Sequence, residues 1–218
     1  MPFPTFFPSG DAALLVTLGD TIDLATNRYA HALAAALAER PLPGLGEAVP
    51  GYATLLVHYD PLALDYDQVL EWVQARLSEA SSALLPEPRR IEVPVFYGGE
   101  HGPDLEFVAQ HNHLSPEEVV RRHTARDYPV YLEGFTPGFP YLGGLDETIA
   151  APRLPSPRLR VPAGSVGIAG QQTGIYPVDS PGGWRLIGWT PRQLFDPQRS
   201  PPALLAPGDV VRFVKRET

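Results

Sequence analysis

The sequence predicts an α+β chain in two parts, a small α/β unit over residues 1–84 followed by a β-barrel over residues 85–218. Three observations carry this. The first third alternates strand-like and helix-like runs, a proline-bearing stretch follows at residues 81–90, and from Pro129 onward short β-type runs are separated by proline and glycine. With 218 residues, 44% hydrophobic and 19% charged, the chain is large and apolar enough to bury real cores without disulfides.

Residues 12–18 read as a short strand. Residues 23–40 follow, rich in alanine and leucine, with Leu33 and Leu37 at helical spacing. Pro41, Pro43, Gly44 and Gly46 close that helix and open a turn. The run "PGYATLLVHYDP" holds a strand over residues 51–61, stopped by Asp60-Pro61, with a weaker strand over 47–50 before it. Residues 65–79 return to helical spacing, with Val69, Trp72, Val73 and Leu77 on one face. Strand, helix, strand, helix, with the weaker strand over 47–50, suggests a small α/β sandwich resembling a ferredoxin-like unit. Beyond the connector, "IEVPVFYGG" is a strand, and residues 103–110 and 115–126 are a helix pair. Ser115 serves as the N-cap of the second helix, Pro116 opens its first turn, and Glu118 completes a capping box. "APGDVVRFVKRE" is a turn leading to a closing strand.

Composition excludes several functions. The chain has no cysteine, which removes disulfides, thiolate metal sites and cysteine nucleophiles. A net charge of -8 argues against nucleic acid as a partner, because phosphate affinity needs clustered positive charge, and Arg121, Arg122 and Arg126 are too local to supply it. Sixteen of the 17 basic residues are arginines and the single lysine is Lys215, so the body of the chain has no lysine for a phosphate loop or a Schiff base. Any phosphate or carboxylate must be met by arginine forks and backbone amides. No apolar run approaches the roughly 18 residues of a membrane span and the start lacks a secretory pattern, so the expectation is a cytoplasmic protein.

Two stretches concentrate backbone freedom. Residues 161–188 hold seven glycines, among them Gly164, Gly170, Gly174, Gly182 and Gly183, mixed with apolar residues too numerous for a linker. Residues 132–145 interleave Gly134 and Gly138 with Phe135, Phe139 and Tyr141, and such a pattern serves a pocket or a barrel corner equally well. "AGSVG" around Ser165 lacks the offsets of a nucleophile elbow. His111 and His113 fall on different helix faces, and no nearby carboxylate completes a metal site. His123 shares a helical face with Val119 and Val120; a half-buried histidine with one satisfied nitrogen is the leading reading, with a catalytic role as the alternative.

The strings "GFTPGFPYLGGL", "PRLRVPAGSVGIAGQQTGIYP" and "SPGGWRLIGWTP", with "PGYATLLVHYDP" and "GEHGPDLEFVA" before them, closely resemble the KipI/PxpB family, also labelled allophanate hydrolase subunit 1 and related to a segment of urea carboxylase. The resemblance runs the whole length. It implies a cyclophilin-like β-barrel for the second part and a small α/β domain for the first. It also implies a subunit of the ATP-dependent bacterial 5-oxoprolinase, which opens 5-oxoproline to glutamate with two partners: a larger carboxyltransferase-like subunit of the PxpC type and a lactam-opening subunit of the PxpA type. A regulatory protein that inhibits a sensor histidine kinase is the alternative within the same family.

Family motif positions fall on Gly134, Gly138, Phe139, Tyr141, Arg158, Gly164, Ser165, Gly170, Gln172, Thr173, Gly174, Tyr176, Ser180, Gly182, Gly183 and Trp184, with His123 also matching. The resemblance implies that the glycines shape loops and that Phe139, Tyr141, Arg158, Ser165, Gln172, Thr173, Tyr176, Ser180 and Trp184 bind substrate, with His123, Gln172 and Tyr176 as catalytic candidates and no metal ligand. The expectation for residues 161–188 is a rigid groove with Gln172, Thr173, Tyr176 and Ser180 on its polar edge and Trp184 as a wall. Trp189 departs from the family pattern, which carries arginine or histidine there; Arg185 and Arg192 are the nearest replacements for that charge.

Overall fold

Asp23 opens the first long helix, its carboxylate accepting from the amides of Ala25 at 2.9 Å and Thr26 at 3.0 Å, which satisfies donors that a helix start leaves unpaired. That helix, α1 (Leu24–Glu39), belongs to the first of two units into which the chain divides, Met1–Glu87 and Pro88–Thr218. The computed structural model describes residues 3–80 and 87–217. Most of the expected connector, residues 81–86, therefore lies outside the described residues, as does the expected boundary at residue 84.

In the first unit α1 is joined by strands β1 (Thr5–Pro8), β2 (Ala13–Thr17), β3 (Leu45–Pro50) and β4 (Thr54–Tyr59), and by helices α2 (Tyr66–Gln74) and α3 (Leu77–Ala80). The four strands form one antiparallel sheet in the order β1-β2-β4-β3. Leu14, Val16, Leu55 and Val57 alternate along β2 and β4, and they meet Leu33, Leu37, Val69 and Val73 in one core. Two details differ from the sequence expectation. β1 has no counterpart in it, because "TFFP" shows no alternation and its flanking prolines suit only an edge strand. The single helix expected over 65–79 breaks after Gln74, where the amide of Arg76 bonds back only three residues to the carbonyl of Val73, at 3.0 Å, and tightens the turn.

The second unit contains β5 (Arg90–Tyr97), α4 (Leu105–His111), α5 (Pro116–Thr124), β6 (Asp127–Glu133), β7 (Pro140–Leu142), a 3-10 turn at Glu147–Ile149, β8 (Arg158–Val161), β9 (Ser165–Ala169), β10 (Gln172–Ile175), β11 (Ser180–Gly182), β12 (Arg185–Trp189) and β13 (Val210–Arg216). Seven strands close a barrel in the order β10-β7-β6-β13-β5-β12-β9, and β8 pairs with β11 in a separate two-stranded sheet. The protein is thus mixed α/β with a closed seven-stranded barrel. The last strand, β13, lies parallel to β5 from Val210↔Arg90 to Arg216↔Phe96 and antiparallel to β6. Val93, Val95, Val130, Val166, Ile168, Ile175, Val211 and Phe213 fill the interior. The N-cap of α5 forms, with Ser115 Oγ accepting from the Glu118 amide at 3.2 Å. The reciprocal half of the expected capping box is replaced by ion pairs from Glu118 to Arg121 at 2.6 Å and Arg122 at 2.7 Å, since two guanidiniums outcompete one backbone amide for a carboxylate.

Candidate functional site: an aromatic cavity beside the barrel

Period-two alternation sorts the nominated residues onto two sides of the barrel wall. Along β10, Thr173 and Ile175 are buried on the interior side, whereas Gly174 between them abuts Phe139 and Trp184. Along β12, Ile187 joins the interior core and Leu186 joins a second cluster formed with Phe139, Val161, Ala169, Tyr176 and Trp184. Residues adjacent in sequence therefore serve different environments.

The interior set is a closed polar chain. His123, on α5, is fully buried. Its Nδ1 lies 2.8 Å from the hydroxyl of Tyr97, and its Nε2 lies 2.9 Å from Oγ1 of Thr173. Thr173 in turn donates to the carbonyl of Gly167 at 3.0 Å. That donation uses the one hydroxyl proton of Thr173, so the network assigns the imidazole proton to Nε2 and makes Nδ1 the acceptor from Tyr97. Burial lowers the pKa of His123 to about 3, because charging an imidazole away from water is costly. The ring is neutral and has both nitrogens engaged.

The outer set walls a cavity of about 260 Å³. Phe139, Tyr141, Tyr176 and Trp184 supply its aromatic sides, with Phe135 and Arg153 also lining it. Phe139 is the hub: its ring stands edge-on to Tyr176 at 5.3 Å and to Trp184 at 5.4 Å, and inclined to Tyr141 at 5.1 Å. Such tilted pairs align ring edges with ring faces. Gly182 makes the packing possible, since a Cβ there would sit 2.3 Å from the Tyr176 hydroxyl. Burial raises the pKa of Tyr176, and a backbone hydrogen bond at Trp184 and the charge of Arg153 act in the opposite direction. The phenol is neutral at physiological pH. Pro181, Gly182 and Gly183 from the β11 region complete the lining with Pro157.

Phe135, at positive φ of 65°, also borders a second concavity of about 340 Å³ with Glu133, Gly134, Thr136 and Gly138. There Glu133 Oε1 and Thr136 Oγ1 are buried without hydrogen-bond partners among the described residues. Burial, and secondarily the charge of Asp209, raises the Glu133 pKa.

Of the nominated residues, the structure brings Phe139, Tyr141, Tyr176, Trp184, Gly182 and Gly183 together at the aromatic cavity. It places Thr173 with His123 inside the barrel and buries Ser165 on β9. Gln172 is half-buried at the start of β10 and does not line the cavity. Ser180 is buried, and its hydroxyl has no hydrogen-bond partner among the described residues. Gly164 and Gly170 occupy turns at φ of 85° and 57°. Arg158 is committed to Asp104, with Nη2 at 3.0 and 2.9 Å from the two carboxylate oxygens. Asp104 also accepts from the amide of Leu186 at 2.7 Å. Arg185 lies 3.8 Å from the same carboxylate and covers the ring of Phe107 at 3.5 Å. Trp189 donates its indole N–H to the carbonyl of Ala163 at 2.7 Å and stacks on His101 at 5.3 Å.

The cation at the cavity is instead Arg153, 6.0 Å over the Trp184 ring, a residue that no sequence motif marks. The one available signal is a second Pro-Arg pair in "APRLPSPRLR", five residues before Arg158. Among the described residues no three His, Cys, Asp or Glu side chains gather as a metal-binding group, and no helix is long and apolar enough to cross a membrane.

A family model described as carboxyltransferase domain, subdomain C and D, matches residues 4–205. The chain is 49% identical to the 5-oxoprolinase B subunit of Bacillus subtilis (strain 168), covering 94% of this chain and 90% of that protein. It is 48% identical to the 5-oxoprolinase B subunit of Escherichia coli O157:H7, covering 95% and 94%. Among solved structures, TTHA0988 is similar with a TM-score of 0.82 and 43% identity over 94% of this chain, which spans 40% of that longer protein. The chain belongs to the carboxyltransferase domain family, subdomain C and D, alongside the 5-oxoprolinase B subunits.

Proposed function

We propose that this chain is the B subunit of an ATP-dependent 5-oxoprolinase, and that the aromatic cavity receives the substrate ring. The observation that carries the reading is 49% identity with a 5-oxoprolinase B subunit along 94% of the chain. The cavity suits a small ring: its large aromatic walls favour a flat apolar body, and a few convergent polar groups can orient it. In this reading the chain comprises a ferredoxin-like domain over residues 1–84 and a cyclophilin-like barrel domain over residues 85–218.

Opening a lactam with water alone is slow, because amide resonance must be broken. Transfer of a phosphoryl group from ATP to the lactam oxygen converts that oxygen into a leaving group. Water then adds to the carbon, the C–N bond breaks with a proton to nitrogen, and a second water releases phosphate from the acyl phosphate to leave glutamate. A triphosphate calls for several cations or a glycine-rich helix start, and the cavity offers one guanidinium. This chain therefore contributes substrate binding, and nucleotide handling falls to partners, a larger carboxyltransferase-like subunit of the PxpC type and a lactam-opening subunit of the PxpA type.

A bacterial strain deleted for its own 5-oxoprolinase genes and supplied with 5-oxoproline as sole nitrogen source tests the proposal. Expression of this chain with its partner subunits restores growth if the reading is right. Absence of growth with all subunits folded and expressed contradicts it.

A further inference from the structure

Arginines in the barrel unit are mostly spoken for. Arg158 and Arg185 share Asp104, Arg160 pairs with Asp179, Arg121 and Arg122 share Glu118, and Arg90 and Arg212 share Asp127. Arg153 differs. It is exposed and lines the aromatic cavity, where its guanidinium lies over the face of Trp184. Among the described residues no acidic side chain lines that cavity. A guanidinium left without a carboxylate beside an apolar wall keeps its fork of donors free, and its attraction for an anion is strengthened where one side is shielded from water.

We infer that Arg153 is the carboxylate-recognising residue of the cavity, selecting small flat-ringed monocarboxylates whose ring packs on Trp184, Phe139 and Tyr176. This rests on the 5-oxoprolinase reading and gives it a specificity determinant. The carboxylate of 5-oxoproline meets the Arg153 fork while the ring enters between the aromatic faces. Two paired N–H···O bonds to a carboxylate are directional, so lysine replaces them only in part. A neutral ring of the same shape forfeits the contact.

The test uses the complex reconstituted with its partner subunits and compares wild type with Arg153→Gln and Arg153→Lys. Substrate is 5-oxoproline, and its neutral carboxamide is the competing ligand. Losing hydrogen bonds to a charged group weakens binding by about 10- to 100-fold. Arg153→Gln accordingly raises KM for 5-oxoproline by about that factor with kcat changed less than about threefold, and Arg153→Lys recovers part of it. Wild type prefers 5-oxoproline to the carboxamide, and Arg153→Gln abolishes the preference. An active complex in which Arg153→Gln keeps both wild-type KM and wild-type preference overturns the inference and leaves the 5-oxoprolinase reading standing. Loss of partner subunits on purification of Arg153→Gln also overturns it, by making Arg153 a contact between subunits. A wild-type complex that never opens 5-oxoproline overturns the reading and the inference together.

Discussion

His123 and Thr173, fifty residues apart in sequence, meet at 2.9 Å inside the barrel and couple helix α5 to strand β10. The imidazole is neutral there, with its pKa lowered from 6.5 to about 3 by burial. In the unfolded chain it charges near 6.5, so stability from this site is complete above that pH and is lost as pH falls toward about 3. A shift of this size is worth on the order of 5 kcal/mol across that window. Urea unfolding at pH 7.5 and 4.5 should show a smaller pH dependence in His123→Gln than in wild type. An identical dependence in both proteins contradicts the neutral buried assignment.

Glu133 predicts the opposite trend. Its carboxyl has a raised pKa from burial first and from Asp209 second. The folded state therefore resists deprotonation, and this site costs stability as pH rises above the ordinary glutamate value of 4.5. Glu133→Gln should melt a few degrees higher than wild type near pH 8. At pH 4, where both states hold the proton, the two melting curves should converge. A variant less stable at pH 8 would show that the carboxylate is engaged rather than stranded.

These two sites also show what the sequence could and could not convey. Helix α1 was legible in the helical spacing of Leu33 and Leu37 within an alanine-rich run, α5 because Ser115 announces its own cap, and the barrel in its short, glycine-cornered β runs. The parallel pairing of β13 with β5 was not, since parallel register is set by contacts about 120 residues apart and leaves no local mark. For the cavity, Phe139, Tyr141, Tyr176 and Trp184 stood out as aromatics among glycines. Thr173 stood out equally, yet it faces the interior, and only the alternation along β10 separates it from Gly174. Arg153 sits in a proline-broken segment with no periodicity, and only the folded chain shows that it, rather than Arg158, has no carboxylate partner among the described residues.

Asp104 is the counterpart that removes Arg158 from the cavity. Asp104 is 7% exposed, and its carboxylate is held by Arg158, the Leu186 amide and, more distantly, Arg185. Asp104→Asn leaves two guanidiniums without their anion and should cost about 3 kcal/mol in denaturant unfolding. Arg158→Gln should also destabilise, with turnover in the complex following the folded fraction. A KM increase at Arg158→Gln without lost stability would return that residue to substrate binding.

Gly182→Ala drives a methyl toward the Tyr176 hydroxyl, 2.3 Å from the ideal Cβ position. Tyr176 is buried among Phe139 and Trp184 and cannot retreat without disturbing both. The substitution should cost about 1–3 kcal/mol. It should also lower affinity for 5-oxoproline further than the lost stability explains. Wild-type melting with wild-type affinity would show that the aromatic walls yield freely.

Glutamate formation from 5-oxoproline and ATP by purified subunits mixed in all combinations tests the 5-oxoprolinase role of this chain. Turnover is expected only when this chain and both partner subunits are present, and none from this chain alone, since its sequence has no nucleotide-binding loop of the Walker type. Full turnover by the partners without this chain, or by this chain without them, would contradict it.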